Sequence, residues 1–328
     1  MKHTCPERSR RIDPHVHCRD GKEAYKTTIR EVSELAKEQD IVAILDMPNT
    51  DPPILREKDV IKRLKLARKR KPVVRYSLYV GLTSDEDQIR EAVEIVRKYP
   101  EVVGLKLYCA KSGALGVPCE TDQAKVYRIL AELNYRGVLA EHCEKESKFN
   151  PELWDPRKPW THSLAQPLEA EIESIEDQIR LAREENFQGI LYICHVSCPE
   201  SAKIIWQAKK YLNIFSEVTP HHLLMSLEEM RKKYGLLLKV NPPLREKERV
   251  RELLQVLKMG MIDCLGTDYA YHHQEAKLNP PYASGIACYS LYGQALTFLR
   301  QQGVSEKEIE NLTYWNIKKA FGEKLKEV

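Results

Sequence analysis

Short runs of β-branched and aliphatic residues alternate with longer, charged segments of helical period from one end of the chain to the other. This alternation is typical of repeated βα units built around a parallel sheet. It predicts eight strands, at residues 12–17, 41–47, 73–80, 102–108, 137–142, 190–196, 214–218 and 262–267. The helical segments between and after them include residues 25–38, 85–98, 124–135, 168–185, 202–211 and 247–259.

Eight βα units in a chain of 328 residues favour one closed (β/α)8 TIM barrel over an open, doubly wound sheet. The glycine-rich turn of a dinucleotide-binding fold is absent after the first strand. Because no linker rich in Gly, Pro or Ser divides the sequence, we expect a single domain over residues 1–328. The tail 288–328 is predicted to be helical, with Ser305 as the cap of a helix over 306–321.

The composition argues against several classes of function. The chain has 42% hydrophobic residues, enough for a large core, and its net charge is only +4 from 52 basic and 48 acidic residues. That balance argues against nucleic-acid binding, and no apolar stretch is long enough to span a membrane. Nine cysteines without a C-x-x-C pair or an apolar leader predict reduced thiols and a cytoplasmic location.

His15 and His17 occupy alternate positions of the first predicted strand. Side chains two residues apart lie on the same face of a strand, so both imidazoles can reach one metal ion at its carboxyl end. A histidine pair at this spacing also arises by chance. The rest of the chain therefore has to decide between the two interpretations.

Polar residues recur at or just beyond the end of nearly every predicted strand. They are His15, His17, Asn49, Lys106, His142, His195, Glu217 and Asp268. Taken singly, each could be a satisfied core histidine, a lysine reaching towards solvent or a helix cap. In a barrel, however, these ends converge on one face, where such enzymes build their sites. Together the residues predict one pocket.

Four histidines, one aspartate and one lysine suit a site for two divalent ions, because imidazole and carboxylate are the usual ligands of zinc. The lysine needs a special explanation, since a protonated ammonium would repel the cations. Lys106 fits if it is deprotonated or converted by CO₂ into a carbamate, which offers one oxygen to each ion. Residues 102–119 contain no Asp or Glu that could bridge instead.

The motifs in this order resemble the cyclic amidohydrolases, and within them the dihydroorotases, over residues 12–321. Those that carry the resemblance are His15-Val16-His17-Cys18-Arg19, Met47-Pro48-Asn49-Thr50, Gly104-Leu105-Lys106-Leu107-Tyr108, Ala140-Glu141-His142-Cys143-Glu144, Ile193-Cys194-His195-Val196, Glu217-Val218-Thr219-Pro220-His221-His222-Leu223, Asn241-Pro242-Pro243-Leu244-Arg245 and Thr267-Asp268. The stretches around Asn49 and Asn241 distinguish dihydroorotases from hydantoinases and allantoinases, which share the metal ligands.

The resemblance implies a binuclear zinc centre and the reversible cyclisation of N-carbamoyl-L-aspartate to L-dihydroorotate in pyrimidine synthesis. It assigns the metal ligands His15, His17, Lys106 as a carbamate, His142, His195 and Asp268. Asp268 is also the catalytic residue that transfers the proton. Glu217 is left open between a ligand of a further metal and an indirect role. The implied substrate contacts are Arg19, Asn49, Asn241 and His272.

The sequence departs from the family pattern in three places. Tyr271 replaces a proline before His272, which puts the reach of that histidine in question. The loop 111–120 lacks the threonines that often contact substrate, although Gly113 and Gly116 would let it move. The chain also begins at the first strand and ends after the last helix, so we expect no accessory β-sandwich.

Several alternatives stay open at this stage. The same metal centre could serve another cyclic amidase that opens a hydantoin or allantoin ring. A non-catalytic relative could instead act as a partner of aspartate transcarbamoylase, but such proteins usually lose ligands. The sequence leaves open a homodimer, an assembly with aspartate transcarbamoylase, and zinc against manganese or cobalt. Arg245 is either a further substrate contact or a surface arginine that opens the helix 246–257.

Overall fold

The computed structural model describes residues 10–328, whose parallel strands form a barrel surrounded by helices. The strands are β1 (Arg11–His17), β2 (Ile41–Asp46), β3 (Arg75–Gly81), β4 (Val102–Tyr108), β5 (Val138–His142), β6 (Ile190–Ile193), β7 (Ile214–Val218), β8 (Cys264–Leu265) and β9 (Tyr269–Ala270). From β1 to β8 each strand pairs in parallel with the next, and β9 pairs with β1. The predicted TIM barrel is confirmed, and residues 10–328 contain no second sheet. The predicted domain start at residue 1 lies outside the described residues.

The last strand of the barrel is split in two, and the predicted strand 262–267 is wrong at its end. β8 pairs with β7, while β9 pairs with β1 three residues further on. Between them, Thr267 donates its backbone N–H and its hydroxyl to the two carboxylate oxygens of Asp13, at 3.0 and 2.6 Å. Because the Asp13 carboxylate takes the place of a neighbouring strand as hydrogen-bond partner, Thr267 is not part of the sheet. Asp268, the next residue, is carried to the mouth of the barrel.

Helices follow the strands around the outside. They are α1 (Ile29–Glu38), α2 (Glu57–Arg70), α3 (Glu86–Lys98), α4 (Glu120–Glu132), α5 (His162–Ala165), α6 (Leu168–Glu184), α7 (Pro199–Ala208), α8 (Pro220–Leu224), α9 (Leu227–Met230), α10 (Lys247–Lys258), α11 (Gln274–Leu278), α12 (Ser290–Gln301), α13 (Glu306–Glu310) and α14 (Asn316–Phe321). The helix predicted from residue 25 begins at Ile29, because Thr28 and Glu31 form a capping box there.

The predicted helical tail is interrupted. Ser305 caps α13, as expected, and forms a capping box with Glu308. A π-helical turn over Asn311–Trp315 then links α13 to α14. Short 3₁₀ segments cover Glu146–Lys148, Pro151–Leu153, Pro159–Thr161, Gly235–Leu238 and Gly322–Leu325. Among residues 10–328, no helix combines the length and the apolar character that a bilayer crossing needs.

Alternate strand residues supply two apolar layers. Leu45 of β2 points into the barrel, whereas its neighbour Ile44 packs with the surrounding helices. The bottom of the barrel is filled by Phe321 of α14, whose ring lies 5.4 Å from that of Tyr192 and 6.1 Å from that of Tyr79. Burying such a ring contributes about 2–3 kcal/mol. The apolar bottom leaves the opposite end of the barrel for polar side chains.

Candidate metal centre

A pocket opens at the carboxyl ends of the barrel strands. It is lined by His15, His17, Arg19, Asn49, Tyr108, Lys111, Ser112, His142, His195, Val240, Asn241, Asp268, Ala270, Ser284 and Gly285. Most of the predicted site residues are therefore brought together. Three predicted residues lie just behind the lining: Lys106 and Glu217 are fully buried beneath it, and His272 contacts Arg19.

His15, His17 and Asp268 form the first candidate ligand set. Asp268 Oδ1 lies 3.2 Å from His15 Nε2 and 2.9 Å from His17 Nε2, and all three residues are buried. Burial opposes ionisation of Asp268, but the neighbouring imidazoles, led by His15, hold its pKa well below the ordinary value. These side chains offer two ring nitrogens and a carboxylate within 4.8 Å of one another, a donor set that suits zinc.

Residues behind the first set orient its imidazoles. His15 Nδ1 lies 2.8 Å from Glu217 Oε1, and His17 Nδ1 lies 2.7 Å from Asn49 Oδ1. Both partners accept hydrogen bonds, so each Nδ1 carries a proton, and each Nε2 is directed at Asp268 Oδ1 in the pocket. Glu217 therefore orients the His15 ring through this hydrogen bond.

His142 and His195 form the opposite wall. His142 Nδ1 lies 2.9 Å from His195 Nε2, and His142 Nε2 lies 2.8 Å from Glu144 Oε2. The other ring nitrogen of His195, Nδ1, is buried and has no hydrogen-bond partner among residues 10–328. Burial, followed by the neighbouring His142, lowers the pKa of His195 well below its ordinary value. A buried neutral imidazole with an unsatisfied nitrogen fits a metal ligand.

Lys106 lies at the base of the pocket and is completely buried. Its Nζ donates to Cys194 Sγ at 2.9 Å and lies 5.0 Å from the centre of the Tyr108 ring. None of the carboxylates in residues 10–328 forms an ion pair with it. Because a buried charge without an ion-pair partner is costly, this position suits a lysine converted into a carbamate.

Cys194 was given no role by the sequence analysis, yet it contacts Lys106. Its sulfur, a nitrogen of His15 and an oxygen of Glu217 also lie within 4.8 Å of one another, which makes a second group with metal-ligand geometry. The cysteine precedes His195 directly, and buried thiols are common in barrel cores. Sequence position alone could not have distinguished it from a packing residue.

Arg19, Asn49 and His272 meet at one side of the pocket. Arg19 Nη1 donates to the Asn49 carbonyl oxygen at 3.2 Å, and Nη2 lies 3.2 Å from His272 Nε2. Burial and then the charge of Arg19 lower the pKa of His272 to about 2, so this imidazole is neutral. The Arg19 Nε is buried without a hydrogen-bond partner, and no carboxylate of residues 10–328 pairs with the guanidinium. A buried unpaired guanidinium is a ready anion-binding group.

Asn241 lines the far side, where its Oδ1 lies 2.9 Å from His162 Nε2 and 3.0 Å from the Ser284 hydroxyl. Arg245, by contrast, is not a surface residue and is not among the residues that line the pocket. It is buried, pairs with Glu171 at 3.5 Å and donates to Ser197 Oγ at 2.9 Å. The prediction of a surface arginine is wrong, because a buried carboxylate elsewhere in the chain pairs with Arg245, and the substrate contact stays a prediction.

Two further polar residues were missed by the sequence analysis. Asp13 anchors Thr267 and so places Asp268, and its position two residues before His15 on the same strand was a usable signal. Ser112 accepts a hydrogen bond from Asn49 Nδ2 at 3.3 Å. It lies in the loop that lacks threonines, so a hydroxyl still faces the pocket from that loop.

Known proteins with sequences similar to this chain include dihydroorotases. No protein-family model matches the chain. Curated dihydroorotases do match it: one from Methanothermobacter thermautotrophicus is 30% identical over 269 residues, covering 81% of this chain and 58% of the relative. One from Methanosarcina acetivorans is 29% identical over 331 residues (95% and 67%), and one from Brevibacillus brevis is 31% identical over 276 residues (82% and 62%). Over most of its length the chain is therefore similar to curated dihydroorotases. It spans roughly three fifths to two thirds of the length of these relatives.

Two solved structures share the fold of this chain. L-hydantoinase (dihydropyrimidinase) from Arthrobacter aurescens superposes with a TM-score of 0.85 at 23% identity, covering 95% of this chain and 70% of that one. A dihydroorotase from Campylobacter jejuni superposes with a TM-score of 0.70 at 19% identity, covering 95% and 83%. At these identities the likeness concerns the barrel and not the substrate.

Proposed function

We propose that this protein is a metal-dependent dihydroorotase that interconverts N-carbamoyl-L-aspartate and L-dihydroorotate. The observation that carries the proposal is the unpaired guanidinium of Arg19 beside the imidazole and carboxylate cluster. A cyclic amide that also bears a carboxylate would satisfy both parts of such a pocket. The similarity to curated dihydroorotases supports the same substrate.

The donor set fits two zinc ions. The ligands would be His15, His17, His142, His195, Asp268 and Lys106 as a carbamate, and Glu217 would orient His15. Zinc bound in such a site lowers the pKa of water towards neutrality and polarises an amide carbonyl. The burial of Lys106, the lack of an ion pair to it among residues 10–328 and the unsatisfied Nδ1 of His195 support this assignment.

Asp268 would move the proton during hydrolysis of the ring. Its carboxylate is ionised and held by His15 and His17, so it can accept a proton from the attacking water. The same oxygen would then deliver that proton to the ring nitrogen as the C–N bond breaks. In the direction of ring closure, Asp268 would accept the proton from the ureido nitrogen and give it to the departing oxygen.

Arg19 would fix the orientation of the substrate. Its planar guanidinium matches the two oxygens of the ring carboxylate, and Asn49 and the neutral His272 lie next to it. Asn241, on the other side of the pocket, would donate from its amide nitrogen to a ring carbonyl oxygen. The substrate would thus be held at two opposite edges.

The remaining assignments concern the whole protein. We assign residues 1–328 to one barrel domain and place the protein in the cytoplasm, in line with the eight free cysteines among residues 10–328. For partners we propose a homodimer or an assembly with aspartate transcarbamoylase. Light scattering on the purified chain, alone and mixed with that enzyme, separates these two states.

Turnover of dihydroorotate by the zinc-loaded protein tests the proposed function. We expect its hydrolysis, followed by ultraviolet absorbance, to exceed that of hydantoin and allantoin at equal concentrations. Activity should disappear with a chelator and return with zinc. Preferred turnover of hydantoin would replace the substrate assignment by that of another cyclic amidase, and zinc-independent turnover would refute the metal centre.

A further inference from the structure

We propose that Lys239 is a positioning residue that acts through Ser284 to hold the Asn241 amide with its nitrogen facing the pocket. The inference rests on the proposed function, since it takes Asn241 as a substrate contact. It assigns a role to a lysine that lies outside the pocket lining and belongs to none of the candidate metal ligands.

A chain of hydrogen bonds connects the three residues. Lys239 Nζ lies 2.6 Å from Ser284 Oγ, and Ser284 Oγ lies 3.0 Å from Asn241 Oδ1. On the other side of the amide, His162 Nε2 lies 2.9 Å from the same Oδ1 and 3.2 Å from the carbonyl oxygen of Val240. None of residues 10–328 accepts a hydrogen bond from Asn241 Nδ2.

The chemistry of these groups fixes the direction of every bond. An ammonium has donors only, so Ser284 Oγ accepts from Lys239, and its own proton is donated to Asn241 Oδ1. The Val240 carbonyl accepts only, so His162 Nε2 carries a proton and donates. Two donors therefore converge on one atom of the Asn241 amide, and that atom has to be the oxygen.

The reversed amide would be unfavourable. Turning Asn241 by half a turn would place its NH₂ group against the N–H of His162 and the O–H of Ser284. The N–H of His162 would then face the amide NH₂, and the Ser284 proton would lose its acceptor while Lys239 still occupies one of the two lone pairs of the hydroxyl. The ammonium of Lys239, acting through Ser284, thus adds to the N–H of His162 in holding the amide nitrogen towards the pocket.

The surrounding backbone keeps the chain of bonds in place. The carbonyl oxygen of Lys239 accepts from the backbone N–H of Gly285 at 2.9 Å and from Lys277 Nζ at 3.1 Å. Lys277 Nζ also donates to the carbonyl oxygens of Ala283 and Gly285, at 3.2 and 2.5 Å. The segments that carry Lys239 and Ser284 are therefore tied together independently of the bond between their side chains.

A consequence for ligand choice follows. With Nδ2 turned to the pocket, Asn241 offers two N–H donors and selects ligands that present a carbonyl or carboxylate oxygen there. A ligand that presents an N–H at that position would leave two donors facing each other, which costs binding free energy. The class selected is a ring with an acyl oxygen on the edge opposite its carboxylate.

Steady-state kinetics of Lys239→Met, Lys239→Arg and Asn241→Ala test the relay. We expect Lys239→Met to raise KM for dihydroorotate about tenfold with kcat changed by less than about twofold, as for the loss of one ordered hydrogen bond. Lys239→Arg should restore most of the affinity. Lys232→Met, on an exposed lysine of the preceding segment, is the matched control and should behave as the wild type.

The double variant Lys239→Met/Asn241→Ala supplies the decisive comparison. If Lys239 acts through Asn241, the KM of the double variant should equal that of Asn241→Ala within about twofold. Multiplied effects would overturn the relay, as would an unchanged KM in Lys239→Met.

Nuclear magnetic resonance of the asparagine side-chain amides separates this proposal from the proposed function. In protein labelled with ¹⁵N at asparagine, the signal missing in Asn241→Ala identifies the Asn241 amide. Lys239→Met and Ser284→Ala should shift or broaden that signal, whereas Lys232→Met should not. An unchanged signal refutes the relay whatever the substrate is. A wild-type protein inactive on dihydroorotate refutes the function and leaves this measurement as the test of the relay.

Discussion

Arg19 and Arg63 are two buried arginines that we expect to respond oppositely to the same substitution. Arg19 has no carboxylate partner and makes only long contacts to Asn49 and His272. Arg63 donates to Asp46 from Nη2 at 2.6 Å and from Nε at 3.1 Å. Replacing each by methionine keeps the apolar stem and removes the charge.

The expected magnitudes come from these partners. Arg63→Met leaves the buried carboxylate of Asp46 without its counter-ion and should lower the free energy of unfolding by about 3–5 kcal/mol. Arg19→Met removes a buried charge that nothing compensates, so it should leave that free energy unchanged or raise it. In catalysis, the loss of a charge-assisted contact to the substrate carboxylate costs about 2–3 kcal/mol, or roughly 30- to 150-fold in kcat/KM.

Urea denaturation of the zinc-loaded variants measures the first effect, and steady-state hydrolysis of dihydroorotate measures the second. The ratio of the kcat/KM values for dihydroorotate and hydantoin gives a further check, since hydantoin carries no carboxylate for Arg19 to bind. Arg19→Met should reduce kcat/KM for dihydroorotate and leave kcat/KM for hydantoin unchanged. A destabilisation of Arg19→Met as large as that of Arg63→Met would show that Arg19 is a structural residue, and the anion-site argument would fail.

Three further predictions follow from buried groups. Lys106→Ala should lose bound zinc and activity, with partial rescue by short carboxylic acids that replace the carbamate; full activity without rescue would refute the bridge. Arg245→Met should destabilise the fold by about 3–5 kcal/mol in urea, because Glu171 stays buried, while KM of the folded enzyme is unchanged; a raised KM would support the substrate contact instead. Burial lowers the pKa of His162 to about 3. As the pH falls below about 6.5, this histidine therefore takes up a proton in the unfolded chain but not in the folded one. The free energy of unfolding of the metal-free protein should therefore fall by about 2 kcal/mol more between pH 7 and pH 5 than that of His162→Gln, and equal slopes would contradict this.

The barrel could be predicted because strand and helix periods are local signals. The strands β4 and β7 have the predicted limits, and the other strands before β8 differ by a few residues at most. The last strand could not be predicted in the same way. Its break depends on the carboxylate of Asp13, which is more than 250 residues away in the sequence and takes the backbone N–H of Thr267. Only the closed barrel brings the two together.

The polar residues at strand ends could also be predicted, because the barrel topology alone gathers them. The contacts made by residues on loops could not be predicted from the sequence. Arg245 ends a motif that suggests substrate binding, but it forms an ion pair with Glu171 of α6 inside the protein. Lys239 and Ser284 meet only because the backbone of their two segments is joined at Gly285. The pattern of the sequence carries no sign of such pairings, since neither segment has a regular period.

Backbone conformation adds a last link between the fold and the site. Arg19, His195 and Asp268 have positive φ angles of 52°, 40° and 47°, a region that residues with a Cβ atom adopt at a cost of about 1–2 kcal/mol each. All three follow barrel strands and turn a functional side chain towards the pocket. Glycine would relieve the strain at each position but would remove the guanidinium, the imidazole or the carboxylate. The surrounding barrel has to hold these conformations, because the residues that the chemistry requires are not those that the backbone prefers.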